Sequence, residues 1–119
     1  MSKILLVEDD ETMLSLLKTL LQMEGFQVVQ ARVERFEDTL ETMRAEKPEL
    51  ALIDVNLRQG SGFDLLRMIR SDQDLKNTRI LMSSGMDFSS RCKTAGADNF
   101  ILKPYMPDDL INMIRQIIR

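Results

Sequence analysis

The sequence contains no histidine and a single cysteine, Cys92, among its 119 residues. Without histidine there is no imidazole metal ligand and no histidine general base. A lone cysteine cannot form an internal disulfide and is most simply an ordinary small side chain. This pattern fits a reducing compartment, so we expect a cytoplasmic protein.

Long apolar runs and an excess of positive charge are also missing. No run is long enough to cross a membrane, and an apolar segment begins at residue 4, so we expect no signal peptide. The formal net charge of −3 argues against a broad nucleic-acid-binding surface, which needs clustered basic residues. The length predicts one domain over residues 1–119.

Two short apolar runs end abruptly in acidic residues. Residues 50–54 read Leu-Ala-Leu-Ile-Asp, and residues 4–7 read Ile-Leu-Leu-Val before Glu8, Asp9 and Asp10. Such runs are typical of strands buried on both faces of a parallel sheet. Ligands of these sheets bind beyond the carboxyl ends of the strands, so we expect chemistry at these acids.

Apolar runs alternate with helical patterns along the whole chain, which predicts five strand–helix units. We expect an α/β fold with a single doubly wound, five-stranded parallel sheet, the flavodoxin-like order 2-1-3-4-5 and helices on both faces. In that order Glu8, Asp9 and Asp54 should converge. The predicted strands span residues 4–7, 26–31, 50–54, 79–83 and 99–102, and the helical apolar positions lie within residues 13–21, 36–43, 65–69, 87–95 and 110–117.

Three carboxylates at one sheet edge repel one another, so their ionised forms need compensation. Either some of the acids stay protonated, or a hard cation lies among them. Oxygen ligands without histidine or cysteine favour Mg²⁺, Mn²⁺ or Ca²⁺, and Mg²⁺ combines one or two carboxylates with phosphate oxygens. The alternative is that the acids are solvated loop residues or helix caps.

The fourth and fifth predicted strands end in residues that suit a phosphoryl group. Ser84 offers a hydroxyl and Lys103 an ammonium, although each alone is equally an ordinary turn serine or surface lysine. Together with the acids they suggest phosphoryl transfer to a carboxylate. Asp54 would be the nucleophile, Mg²⁺ and Lys103 would neutralise charge, and Ser84 would donate a hydrogen bond.

Four segments, taken in order, resemble the receiver domain of two-component response regulators, in particular its chemotaxis-regulator-like form. They are residues 4–10, 50–54, 80–85 and 96–104, and the resemblance covers essentially the whole chain. It implies that Asp54 accepts a phosphoryl group from a kinase phosphohistidine in a reaction dependent on Mg²⁺ or Mn²⁺. It also implies a signalling domain that catalyses only its own phosphorylation and dephosphorylation, rather than an enzyme.

The resemblance assigns roles to the acidic residues. Glu8 and Asp9 would form the acid pair, with Asp9 the direct carboxylate ligand of the metal. Asp54 and the backbone carbonyl of Asn56 would complete the protein ligands. Asp10 would instead cap the first helix.

The resemblance further implies a switch. Ser84 and Lys103 match the family's hydroxyl and lysine positions, and Phe100 matches the aromatic that follows the hydroxyl inward on phosphorylation. The switch would change the face formed by helix four, strand five and helix five. The implied partners are a sensor histidine kinase or phosphotransfer protein and a downstream effector protein or domain, with a phosphorylation-dependent homodimer as one outcome. No direct nucleic-acid or membrane binding is implied.

Residues after the third and fourth strands depart from the family pattern. Arg58 and Ser61 stand where a proline and an acid are usual, so we expect a more mobile loop, in which Arg58 either contacts a partner or the phosphoryl group or is simply solvated. Met86 lies near the path of an attacking water and cannot orient it, which predicts slow self-dephosphorylation.

Apolar residues around the last helix allow two interpretations. They suggest either an exposed partner surface or a wide buried stripe. These residues are Tyr105, Met106, Ile111 and Ile118.

Two other functional classes stay open on sequence grounds. A small aspartyl-phosphate phosphatase would want a second acid at the position of Asn56 and a substrate cap. A flavodoxin-like cofactor carrier would need a hydroxyl- and glycine-rich loop after the first strand, where this chain has three acids. The chain is either a stand-alone regulator or part of a longer protein.

Overall fold

Five parallel strands form the central sheet of the computed structural model, which describes residues 2–31 and 34–119. A short antiparallel hairpin follows the third strand. The sheet order is β2-β1-β3-β6-β7, which confirms the predicted order 2-1-3-4-5. In chain order the strands are β1 (Lys3–Val7), β2 (Gln27–Gln30), β3 (Leu50–Asp54), β4 (Asn56–Leu57), β5 (Gly60–Ser61), β6 (Arg79–Ser84) and β7 (Asn99–Leu102).

Five helices connect and cover these strands. None of those in the described ranges is long and apolar enough to cross a membrane. The fourth helix begins at Ser89 rather than at the predicted residue 87, because the Asp87 carboxylate accepts hydrogen bonds from the backbone and hydroxyl of Ser89 and forms a turn there. The helices are α1 (Glu11–Met23), α2 (Phe36–Glu46), α3 (Gly62–Ser71), α4 (Ser89–Ala95) and α5 (Pro107–Ile118).

Helix ends follow the predicted signals. The Asp10 carboxylate accepts a hydrogen bond from the backbone of Met13 at 2.9 Å, so Asp10 caps α1 as expected. Gly25 and Gly96 follow α1 and α4 with φ values of 92° and 104°, a backbone conformation that residues other than glycine rarely adopt. These local signals mark the start of α1 and the ends of α1 and α4, and β2 and β7 begin shortly after the two glycines.

The sheet separates two hydrophobic layers. One layer packs against α1 and α5, and the other packs against α2, α3 and α4. Because side chains alternate along a strand, each central strand contributes to both layers. In β7, Phe100 belongs to the layer of α2, α3 and α4, whereas Ile101 belongs to the layer of α1 and α5. Cys92 is buried in the layer of α2, α3 and α4 as an ordinary small side chain.

Candidate functional site

Lys103 joins the carboxyl ends of three strands. Its ammonium donates a hydrogen bond to Glu8 Oε1 at 2.8 Å and another to Asp54 Oδ2 at 3.1 Å. Glu8 follows β1, Asp54 ends β3, and Lys103 follows β7. Parallel strands bring their carboxyl ends to one edge, so residues 8, 54 and 103 meet there despite their separation in sequence.

The Asp54 carboxylate lies in a mostly buried setting. Burial raises its pKa above the ordinary 3.8, and the nearby charge of Glu8 raises it further. Two hydrogen-bond donors oppose this rise, namely the backbone N–H of Asn56, 3.1 Å from Asp54 Oδ1, and the ammonium of Lys103. The site therefore carries more negative than positive charge.

Lys103 remains protonated in this setting. Burial acts to lower its pKa, but the hydrogen bond to Glu8 and the attraction of Asp54 outweigh burial, and the pKa is raised. Glu8 is also held from the other side, because its Oε2 accepts the backbone N–H of Asp9 at 3.0 Å and that of Asp10 at 3.4 Å. The Glu8–Lys103–Asp54 arrangement is thus fixed by several donors.

Asp9 is oriented differently from its neighbour. Its Oδ2 accepts a hydrogen bond from the backbone N–H of Arg58, in the turn of the β4–β5 hairpin. Its Oδ1 is buried and has no hydrogen-bond partner among the residues that the structure describes. Within residues 2–31 and 34–119, no group of three or more acidic or cysteine side chains lies in a metal-binding arrangement. The structure therefore brings Glu8 and Asp54 together and ties Asp9 to the hairpin.

Two features of these acids suit a hard divalent cation. Asp9 Oδ1 is a buried anionic oxygen without a donor, which is costly unless a cation or donor approaches it. The pKa of Asp54 is raised by burial and by an adjacent carboxylate, so added positive charge would favour its ionised form. The oxygen donors of Asp9, Asp54 and Asn56 are of the kind that Mg²⁺ and Mn²⁺ prefer.

Ser84 lies beside this cluster at the end of β6. It is fully buried, and its hydroxyl accepts the backbone N–H of Met86 at 3.2 Å and lies 3.4 Å from the amide nitrogen of Asn56. Phe100 is also buried, on the neighbouring strand β7, which pairs with β6. Met86 itself is 65% exposed, and its side chain faces solvent beyond Ser84.

The apolar residues around α5 were expected to form either an exposed partner surface or a wide buried stripe, and the structure contains residues of both kinds. Ile111 is buried and Ile118 is partly buried, so both belong to a wide apolar stripe, whereas Met106 is 67% exposed. Tyr105 is half-buried, and burial raises the pKa of its phenol, with smaller effects from the charges of Lys103, Glu8 and Asp54. The residue pattern alone gave no sign that the charges of the site influence this hydroxyl. Only its position two residues after the lysine could have suggested it.

Comparison with known proteins shows which family the chain belongs to. Residues 4–115 match the family model described as the response regulator receiver domain. The chain belongs to this family. As a receiver domain of two-component response regulators it is a signalling domain, which favours that class over the phosphatase and flavin-carrier alternatives.

Relatives of this receiver domain include transcriptional regulators. It is 38% identical to the transcriptional regulatory protein GltR of Pseudomonas aeruginosa, over 98% of this chain and 48% of GltR. It is 36% identical to the transcriptional regulatory protein CpxR of Escherichia coli, over 100% of this chain and 50% of CpxR. The chain thus spans about half the length of these relatives.

A solved structure with the same architecture is the BeF3-activated N-terminal receiver domain of RstA from Klebsiella pneumoniae. The two chains are 28% identical, the TM-score is 0.85, and the match covers 99% of each chain. Both chains therefore share the five-stranded receiver fold over their whole lengths.

Proposed function

We propose that this receiver domain accepts a phosphoryl group on Asp54 from the phosphohistidine of a sensor histidine kinase or phosphotransfer protein. A carboxylate oxygen of Asp54 would form the new O–P bond as the N–P bond of the phosphohistidine breaks, and the imidazole would leave with the donor. The observation that carries this proposal is the ammonium of Lys103 held 3.1 Å from Asp54 Oδ2, at a sheet edge with a hydroxyl beside it.

The proposal includes a divalent cation, Mg²⁺ or Mn²⁺. Asp9, Asp54 and the backbone carbonyl of Asn56 would hold it, with Glu8 beside them. When bound, the cation supplies positive charge that offsets the phosphoryl oxygens. The unpaired Oδ1 of Asp9 supports this assignment.

Residues of the chain would share the remaining work. Lys103 would turn toward the phosphoryl oxygens as a point charge, and the Ser84 hydroxyl would donate to one of them. In the structure the Ser84 oxygen accepts a hydrogen bond from Met86, so its own proton is available for donation.

Movement of Ser84 would then shift Phe100 and the face formed by α4, β7 and α5. Phosphorylation would bias two pre-existing conformations through contacts made in only one of them. Burial of both residues on paired strands supports this coupling. The changed face would control an effector protein or domain, or a homodimer, in the cytoplasm and without direct nucleic-acid or membrane contact.

The central test uses acetyl phosphate as a small phosphoryl donor. The wild type and Asp54→Asn are incubated with acetyl phosphate and Mg²⁺, and intact mass is measured with and without EDTA. We expect one added phosphoryl group on the wild type in Mg²⁺ only. Modification of Asp54→Asn to the same extent, or no modification of the wild type, would overturn the assignment.

A further inference from the structure

Tyr105 carries a hydroxyl that the described part of the structure leaves unused. The hydroxyl oxygen is buried and has no hydrogen-bond partner. A buried hydroxyl without a partner is unfavourable and uncommon, and each case calls for an explanation. The residue stands two positions after Lys103, in the turn between β7 and α5.

The surroundings of the ring connect it to the phosphoacceptor cluster. Tyr105 and Lys103 line the same apolar crevice of about 290 Å³ beside α1. Burial raises the pKa of the phenol most, Lys103 lowers it, and Glu8 and Asp54 raise it. Because Lys103 donates hydrogen bonds to both Glu8 and Asp54, the shared crevice places Tyr105 beside the cluster.

The ring also has space to move. Tyr105 borders a second, shallower crevice of about 560 Å³ that runs along β7 and α5. A small rotation could thus bring the hydroxyl to a new partner without repacking the sheet.

Phosphorylation of Asp54 would leave Glu8 Oε1 without a hydrogen-bond donor. In the structure, Lys103 divides its hydrogen bonds between Glu8 Oε1 and Asp54 Oδ2. A phosphoryl group on Asp54 adds about 1.5 to 2 negative charges and competes for the same ammonium. Once Lys103 turns toward those oxygens, Glu8 Oε1 loses its side-chain donor inside a mostly buried site.

We propose that Tyr105 is a positioning residue that donates its phenolic hydrogen bond to Glu8 when Lys103 turns to the phosphoryl group. The exchange moves no proton and breaks no covalent bond. The Tyr105 hydroxyl replaces the Lys103 ammonium as the donor to Glu8 Oε1. The ammonium is then free to contact the phosphoryl oxygens on Asp54. The role rests on the proposed phosphorylation of Asp54.

The variant Tyr105→Phe isolates the hydroxyl. Because that hydroxyl is unpaired before phosphorylation, its removal should leave the thermal stability of the resting protein unchanged or slightly higher. Binding of beryllofluoride in Mg²⁺, followed by fluorine NMR, should be about tenfold weaker than in the wild type, the loss typical of a hydrogen bond to a charged group. Tyr105→Leu, which removes the ring as well, is the matched control for packing.

The wild type supplies its own spectroscopic signal. Tyr105 is the single tyrosine of a chain without tryptophan, so intrinsic fluorescence reports on this ring alone. Hydrogen bonding of a phenol to a carboxylate quenches its emission. We therefore expect the emission to fall when beryllofluoride and Mg²⁺ are added to the wild type, and to stay constant in Asp54→Asn.

The outcomes separate this inference from the proposed function. Wild-type affinity in Tyr105→Phe would overturn the role of the hydroxyl, and weakened binding in Tyr105→Leu alone would show that only the ring matters. Neither result would affect phosphorylation of Asp54. A wild type that neither binds beryllofluoride nor accepts a phosphoryl group would overturn the proposed function and, with it, this inference.

Discussion

At the scale of single residues, one ammonium allows two carboxylates to lie side by side. The Lys103 ammonium contacts both Glu8 and Asp54, and both acids are buried. Two acids and one base leave an unbalanced charge, and burial magnifies its cost. This imbalance makes the stability of the resting protein depend on the ionisation of Asp54.

Replacing Asp54 with asparagine should stabilise the protein near neutral pH. Because the pKa of Asp54 is raised in the folded state, the unfolded carboxyl ionises first as pH rises above 3.8. Between pH 3.8 and the raised pKa of the folded state, the protein loses stability as pH rises, and the loss remains at higher pH. We expect Asp54→Asn to be more stable by on the order of 1 kcal/mol near neutral pH.

Urea unfolding at several pH values checks this expectation. The gain should shrink as pH falls toward the ordinary Asp pKa, where the wild-type carboxyl is protonated in both states. Asp74→Asn, at an exposed position, is the control and should show little change at any pH. A wild type as stable as Asp54→Asn near neutral pH would contradict the argument.

Replacing Met86 with glutamine should shorten the life of the phosphorylated state. The methionine side chain is exposed next to Ser84 and offers no hydrogen bond to an attacking water. An amide at this position can orient that water, and we expect loss of the phosphoryl group to be about tenfold faster.

The lifetime is measured by intact mass after acetyl phosphate is removed. Met23→Gln provides a matched control, since Met23 is 80% exposed at the end of α1, away from the site. Equal lifetimes for Met86→Gln and the wild type would argue against a water path at this position.

At the scale of elements, the start of α3 is pressed against the end of β3, which carries the proposed phosphoacceptor Asp54. The backbone N–H of Gly62 donates to the carbonyl of Val55 at 2.7 Å. A Cβ at Gly62 would lie 2.9 Å from the Cα of Val55 and would collide with the carbonyl oxygen of Asp54. The absence of a side chain at Gly62 thus sets the position of β3 relative to α3.

Gly62→Ala should therefore destabilise the fold by about 2 to 3 kcal/mol, because backbone atoms must shift to admit the methyl group. It should also slow phosphorylation of the protein that remains folded, since the displaced backbone is that of Asp54. Chemical unfolding and acetyl phosphate kinetics measure the two effects.

Gly85→Ala is the matched control for this substitution. A Cβ at Gly85 meets nothing within 4 Å, and its φ is not positive. We expect its stability to lie within about 0.5 kcal/mol of the wild type. Equal effects of the two substitutions would contradict a steric role for Gly62.

The cap of α1 separates Asp10 from the acid pair. Because the Asp10 carboxylate accepts the backbone N–H of Met13, Asp10→Ala should cost about 1 kcal/mol of stability. Its affinity for Mg²⁺, measured by calorimetry, should stay close to that of the wild type. Asp10→Asn retains a capping oxygen and should lose little stability, and a large loss of Mg²⁺ affinity in either variant would assign Asp10 to the metal site instead.

At the scale of the whole molecule, alternation of apolar runs and helical patterns predicted a parallel sheet, and the known flavodoxin-like arrangement of such sheets supplied its strand order. The carboxyl ends of parallel strands share an edge whatever the details of packing, so Glu8, Asp54 and Lys103 could be placed together from sequence. Strand ends differed by a residue, as for β2, which lacks the predicted Phe26 and Ala31. The order of the sheet is robust because it depends on many residues at once.

Individual side-chain contacts were beyond the sequence. The partner of Asp9 is a backbone N–H of Arg58, and a backbone group leaves no signal in residue identity. Helical periodicity could not decide how wide the buried stripe of α5 is, so Ile111 stayed ambiguous until its packing was known. The buried hydroxyl of Tyr105 was hidden too, because residue identity does not show which polar atoms are left without a partner among the described residues.

The whole fold should gain stability from Mg²⁺. An ion that binds only the folded state adds about 1.4 kcal/mol when its concentration is ten times its dissociation constant. We expect the melting temperature to rise with Mg²⁺ at constant ionic strength in the wild type, and the rise to be lost in Asp9→Asn. Asp74→Asn is again the control and should keep the rise, and an equal rise in Asp9→Asn would place the ion elsewhere.

The strand β7 sends adjacent side chains to opposite sides of the sheet, Phe100 to one and Ile101 to the other. If phosphorylation displaces Lys103, just beyond the end of β7, the displacement would reach both hydrophobic layers together. The two layers can then be altered by separate substitutions to adjust a single response. Substitutions in either hydrophobic layer would therefore adapt such a domain to a new partner, while the residues at the carboxyl edge of the sheet stay unchanged.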